Sequence, residues 1–190
     1  MILYLHGFRS SPQSFKALLL GERMAALGRA AEYVCPQLPP EPDAAIALAL
    51  QLAENVKAAS LTLIGSSLGG YYATYLAECL GCRAVLLNPA MRAFEKLRGH
   101  VGPQTAYHEG GTAFEFKRAY LEQLRAMYVP TTTKPERYFL IAATGDELLD
   151  WREMAAAFPG ARHKIIPGSD HGLSDFASYM DAVLQFAAPD

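Results

Sequence analysis

Leu61-Thr62-Leu63-Ile64-Gly65-Ser66-Ser67-Leu68-Gly69-Gly70-Tyr71-Tyr72 reads in three parts. An apolar run gives a buried strand, two serines among glycines give a sharp bend, and the residues from Leu68 onward give the first turns of a helix. Ser67 has a glycine two positions before it and two after it, Gly65 and Gly69. A nucleophile elbow needs that spacing, because its bend lifts the serine hydroxyl above the sheet only if strand and helix approach too closely for side chains at those positions. Centred on Ser66, the motif would put Ile64 and Leu68 at the crossing. Ser67 is therefore the candidate nucleophile and Ser66 a small filler under the turn. The helix also directs its free N–H groups and positive dipole end back at the bend, which suits an anion forming beside Ser67.

Outward from this point, short apolar runs alternate with helical patterns. Residues 2–6 form a first strand ending at Gly7, and 14–27 a helix with Phe15, Leu18, Leu19 and Met24 at helical intervals before a capping Gly28. A strand at 31–35 ends at Pro36, and Pro36-Gln37-Leu38-Pro39-Pro40 is an extended loop. A helix at 43–59 carries Ile46, Leu50 and Ala53 on one side; the elbow helix runs to about Leu80 before Gly81, and a fourth strand at 84–88 stops at Pro89. Strands follow at 137–144 and 162–166, with helices at 151–158 and 173–186. This rhythm predicts an α/β fold, a minimal six-stranded parallel sheet with helices on both faces.

Between residues 90 and 134 the rhythm breaks. No strand is evident there, and a stretch with Gly99, Gly102, Gly110 and Gly111 precedes an amphipathic helix at 114–128, whose Phe116, Tyr120, Leu124 and Met127 fall on one stripe. An insertion of this length points to a cap-like element over the site, with Tyr120 and Leu124 as substrate-binding residues. The competing reading is that the stripe is extra core.

A chain of 190 residues, 51% hydrophobic, predicts one domain over 1–190. Net charge is -2, and no dense Lys/Arg cluster interleaved with aromatics occurs, which argues against nucleic acid and for a small-molecule partner. The apolar N-terminal run is too short for a signal peptide or a membrane span. Three cysteines, an odd number, fit a reducing compartment, so a cytoplasmic location is expected. Cys79 and Cys82 have dithiol spacing but only Cys35 accompanies them, so all three are read as structural.

A serine hydroxyl needs a base to take its proton and a third group to orient that base, in the chain order serine, acid, histidine. Asp146 follows the fifth strand and His171 the sixth, both at the rim where strand C-termini gather. Glu147, Asp150 and Asp170 are rivals for the acid, but only Asp146 directly follows the strand and its turn glycine. His6-Gly7 closes the first strand, and a turn there presents the backbone N–H of Phe8 toward a developing oxyanion, with that of Leu68 as second donor. His6 precedes the nucleophile and is read as a loop brace; His100, His108 and His163 are read as ordinary residues.

These residues resemble the YqiA-type esterase family of small alpha/beta hydrolases. The resemblance rests on residues 3–8 with Ser10-Ser11-Pro12, on 36–40, on 65–74, on Asn88-Pro89-Ala90 and on 144–150. It implies Ser67, Asp146 and His171 as a triad, and hydrolysis of carboxylic esters or acyl-CoA thioesters as the activity. No metal or organic cofactor is needed for such chemistry. Arg92, Lys96 and Arg98 could meet CoA phosphates or form a solvated basic face. Two other function classes stay open, a non-catalytic binding protein on the same fold and a peptidase.

Overall fold

β3 (Thr62–Ser66) is buried along its whole length and has a parallel neighbour on each side. The computed structural model describes residues 1–107 and 111–188; His108 and Gly110 lie outside the described residues. The other elements, in chain order, are β1 (Ile2–Leu5), α1 (Phe15–Ala26), β2 (Tyr33–Val34), α2 (Pro42–Ala53), α3 (Leu68–Leu80), β4 (Arg83–Leu87), α4 (Ala93–Lys96), β5 (Gly102–Thr105), β6 (Ala113–Phe116), α5 (Arg118–Ala126), β7 (Tyr138–Ala143), α6 (Trp151–Ala157), β8 (Arg162–Ile166) and α7 (Met180–Ala187). Among the described residues, six strands make one parallel sheet in the order β2-β1-β3-β4-β7-β8. Leu5 is in register with Gly65, so the end of β1 lies beside the elbow.

Apart from Thr62 and Ser66 at the ends of β3 and Arg83 at the start of β4, the central strands carry no polar residue but tyrosine, because successive side chains enter opposite buried layers. Leu3, Leu5, Leu63, Ala84, Leu86, Leu140 and Ala142 join one core with residues of α2, α3, α5 and α6. Ile2, Tyr4, Ile64, Val85, Leu87, Phe139 and Ile141 join the other, covered by α1 and α7.

Several expected boundaries and faces need correction. On α1 the buried residues are Lys16, Ala17, Leu20 and Met24, whereas Phe15 and Leu18 are 54% and 45% exposed. A lysine thus occupies the stripe expected to be apolar. On α2, Ala45, Ile46, Ala49 and Ala53 are buried and Leu50 is exposed. This helix ends at Ala53, not at 59, where the N–H of Val56 closes a turn on the Ala53 carbonyl. The strand expected at 31–35 keeps two residues after a 3-10 turn at Ala30–Glu32. The closing helix is broken: Leu173 has positive φ, a 3-10 turn spans Phe176–Ser178, and Asp175 accepts hydrogen bonds from Ser169 Oγ and Tyr179 Oη. Such local side-chain bonds compete with helix propagation.

The insertion departs furthest from expectation. It holds an antiparallel hairpin, β5 with β6, and a helix of nine residues instead of one helix from 114. Ala113-Phe114-Glu115-Phe116 alternates with period two, which a strand can use and a helix cannot. Tyr120, Leu121, Leu124 and Met127 are all buried in the same core as α2 and α3. Tyr71 Oη donates to the Leu124 carbonyl at 2.7 Å, and Gln123 Nε2 to Glu41 at 3.0 Å.

Candidate active site

Ser67 sits between β3 and α3 with φ 54° and ψ -118°, a conformation costing a residue with a side chain about 1–3 kcal/mol. The approach of its flanking elements excludes anything but glycine. A Cβ on Gly65 would lie 2.2 Å from the Gly69 carbonyl oxygen, and one on Gly69 only 1.9 Å from that of Leu5. The bend is further tied by the Ser67 N–H to the Leu87 carbonyl and by the Ala90 N–H to the Ser67 carbonyl, each at 3.0 Å. Among the described residues, the other non-glycine residues with positive φ are Arg9, Asn88, Arg92, Ser169 and Leu173. All follow C-terminal ends of sheet strands, so backbone strain collects on the rim that carries Ser67.

Three of the expected site residues come together there. Ser67 Oγ is 3.0 Å from His171 Nε2, and His171 Nδ1 is 2.8 Å from Asp146 Oδ2. The Asp146 side chain is fully buried and that of His171 is 17% exposed. Asp146 Oδ1 accepts the N–H groups of Leu148 and Leu149, each at 2.9 Å, which aims Oδ2 at the imidazole. A carboxylate only accepts, so Nδ1 carries the imidazole proton and the Nε2 lone pair faces the Ser67 hydroxyl. The rival acids are engaged elsewhere: Glu147 accepts the His171 backbone N–H at 3.0 Å, and Asp150 caps α6. Asp170 accepts the Ser174 N–H at 3.0 Å, and hydrogen bonds from Ser174 hold its carboxyl below the usual range.

The loop after β1 passes against Ser67, since a Cβ on Gly7 would be 3.3 Å from Ser67 Cβ. Phe8 and Leu68, the expected oxyanion donors, both line the cavity at Ser67, and no described residue accepts a hydrogen bond from either backbone N–H. His6 is buried and takes the bracing position expected of it. The Leu38 N–H donates to its Nε2 at 3.0 Å, so the opposite nitrogen carries the proton and donates to the Gly7 carbonyl at 3.0 Å. From above, the hairpin grips the same loop: Tyr107 N–H donates to the Arg9 carbonyl at 2.7 Å and Arg9 Nε to the Thr105 carbonyl at 2.5 Å. Phe8 itself meets Phe116 and His100 edge to face at 5.2 and 5.5 Å.

A cavity of about 440 Å³ adjoins Ser67 and His171. Leu97, Tyr107, Leu148 and Leu149 form much of its apolar wall, with Lys96 and His100 beside them, whereas Tyr4, Ser14, Lys16 and Ser66 line it from the α1 side. A second cavity of about 420 Å³ shares Gly7, Phe8, Ser10 and Leu68 and extends past His6, Pro39 and Tyr72. Tyr120 and Leu124 line neither; the structure keeps them in the core. Arg92 pairs with Glu95 at 3.5 Å and Lys96 with Glu153 at 3.3 Å. Among the described residues no cluster of His, Cys, Asp and Glu could hold a metal ion, and no helix is long and apolar enough to cross a membrane. Burial pushes the Cys35 and Cys82 thiols up to about 11, away from thiolate chemistry.

Two residues that sequence reasoning missed complete the site. Asn88, fully buried with φ 42°, donates from Nδ2 to the carbonyls of Asp170 (3.0 Å) and His171 (3.1 Å) and accepts the Ala143 N–H at 2.8 Å. It therefore fixes the loop that carries His171 to β7. Lys16 donates from Nζ to the Gly172 carbonyl, on the other side of His171. Available signals were a polar residue closing a buried strand, and a lysine four residues before Leu20 and eight before Met24 on one helical stripe.

The model of an uncharacterised protein family, UPF0227, matches residues 1–188. Solved structures with a similar fold include a protein from Agrobacterium vitis S4, 20% identical with a TM-score of 0.75, the match covering 98% of this chain and 87% of that one. The mouse alpha/beta hydrolase domain-containing protein 10 is 16% identical with a TM-score of 0.70, covering 98% and 90%. Est1E from Butyrivibrio proteoclasticus is 14% identical with a TM-score of 0.71, covering 97% and 85%.

Proposed function

From the premise that this chain belongs to UPF0227, the YqiA-type family, we propose that it is a serine hydrolase that cleaves carboxylic esters through an acyl-serine intermediate. The observation that carries this reading is the hydrogen-bonded line from Ser67 Oγ through both ring nitrogens of His171 to the buried Asp146, at 3.0 and 2.8 Å. The names of similar folds, an esterase domain from Rhodothermus marinus among them, agree with it.

In the proposed reaction His171 Nε2 takes the Ser67 proton as Oγ attacks the acyl carbon, and Asp146 stabilises the imidazolium that results. The carbonyl oxygen gains the negative charge, and the N–H groups of Phe8 and Leu68, next to the N-terminus of α3, receive it. Collapse breaks the ester C–O bond and the leaving oxygen takes the proton from His171; water, deprotonated by the same imidazole, then releases the acid from Ser67. Within the insertion, Leu97, His100 and Tyr107 wall the cavity and Thr105, Tyr107 and Phe116 brace the oxyanion loop, a role distinct from a lid over it. Oxygen esters rather than acyl-CoA thioesters are the proposed substrates, because two of the three basic residues that could meet CoA phosphates, Arg92 and Lys96, are paired with carboxylates, which leaves Arg98 alone for the task.

A fluorophosphonate probe and a panel of p-nitrophenyl esters and acyl-CoAs test the proposal. Labelling confined to Ser67, and a loss of about three to six orders of magnitude in kcat for a folded Ser67→Ala variant, are expected. Wild-type turnover in that variant would sink the assignment. An acyl-CoA turned over faster than every oxygen ester would replace the substrate class and leave the mechanism.

A further inference from the structure

Lys16 is a charged side chain buried at the cavity that holds the nucleophile, with a residue exposure of 8%. Its ammonium donates to the Gly172 carbonyl, and among the described residues no carboxylate lies within 4 Å of it. Asp170 and Asp146 act on it only through space, and burial pulls its pKa down to about 8, which leaves the ammonium dominant at neutral pH. Burying a cation without a counter-ion is costly, and that cost is offset when a partner is supplied. The surrounding groups are suited to supplying hydrogen bonds to such a partner. Ser14 Oγ is buried and makes no well-aligned hydrogen bond among the described residues, its polar neighbour being the Tyr4 hydroxyl. The Tyr4 hydroxyl lies beside Ser66 and Ser14, and all four residues line the same cavity as Ser67.

Resting on the serine-hydrolase reading, we propose that this pocket binds a carboxylate of the substrate, and that the preferred substrates are esters carrying a carboxylate a few bonds from the scissile carbonyl. A carboxylate fits better than a phosphate: the cavity's other lysine, Lys96, is paired with Glu153 at 3.3 Å, and the fields of Asp146 and Asp170 at Lys16 oppose a dianion. The apolar wall of Leu97, Leu148 and Leu149 then receives the uncharged part of the molecule.

The test compares each anionic ester with its neutral carboxamide twin on the wild-type protein. Monoethyl adipate carries the charge in the acyl half and 4-acetoxybutanoate carries it in the alcohol half. A kcat/KM preference of about tenfold to a hundredfold for the anion is expected in one pair, the scale of a charge-assisted hydrogen bond. That preference should collapse toward unity in Lys16→Met and be partly kept in Lys16→Arg. No preference in either pair overturns the proposal without recourse to any variant. An equal loss on anion and neutral twin in Lys16→Met also overturns it, since the lysine would then only brace Gly172. Fluorophosphonate labelling of Ser67 in the same preparation separates the two ideas: labelling without anion preference ends only this inference, whereas an unlabelled Ser67 ends the hydrolase reading.

Discussion

Asn88, fully buried, bonds the carbonyls of Asp170 and His171 and one N–H of β7. Replacing it by alanine leaves those groups unpaired, at about 1–3 kcal/mol for each buried group that finds no new partner. Because it touches no reacting atom, its proposed contribution is to hold His171 at 3.0 Å from Ser67 Oγ. A displacement of that base by about 1 Å costs on the order of a hundredfold. Asn88→Ala is therefore expected to lower kcat by about 10- to 100-fold with KM little changed, and to slow fluorophosphonate labelling in step. Steady-state kinetics on the folded variant checks this; a change confined to KM or to thermal stability would remove Asn88 from the positioning machinery.

At the scale of elements, α5 and the β5–β6 hairpin divide the work of the insertion. α5 turns Tyr120, Leu121 and Leu124 into the core shared with α2 and α3. Tyr120→Ala and Leu124→Ala are each expected to cost about 2–5 kcal/mol of stability, the range for large-to-small core changes. Acyl-chain-length preference should stay as in the wild type, because neither residue reaches a cavity. Denaturant melts alongside kinetics across graded p-nitrophenyl esters read both quantities, and altered length preference at full stability would restore the cap. The hairpin instead reaches the loop after β1 through Tyr107, Arg9 and the Phe8–Phe116 contact.

For the whole molecule, Lys16 couples stability to pH. Its pKa is about 8 in the folded state against an ordinary 10.5, so between those values the unfolded chain holds more protons and stability must rise with pH. Below about pH 8 the penalty for burying the charge is fully present; above about 10.5 it is gone. Relative to Lys16→Met, the wild type should gain up to about 3 kcal/mol across that window. The tyrosines that ionise there are common to both proteins and cancel. Denaturant titrations of the pair at pH 7, 8.5 and 10 measure the difference, and a difference flat with pH would mean that Lys16 is not buried as an ion. What the sequence by itself determined was the parallel α/β order, the bend at Ser67 and the choice of Asp146 and His171 as the residues that meet it. Those features are local: a glycine spacing forced by close approach, an apolar run, and polar residues just past strand ends where the rim must lie. The tertiary structure alone decided that Lys16 faces inward while Phe15 faces out, that Phe114 and Phe116 sit on a strand, and that Asn88 holds the base loop. Each depends on what another part of the chain places alongside: the sheet that takes up the inner face of α1, the partner strand 102–105, the carbonyls of 170 and 171. Helical and strand periodicities say which residues share a face, but the face that is buried is chosen by contacts that are distant in sequence.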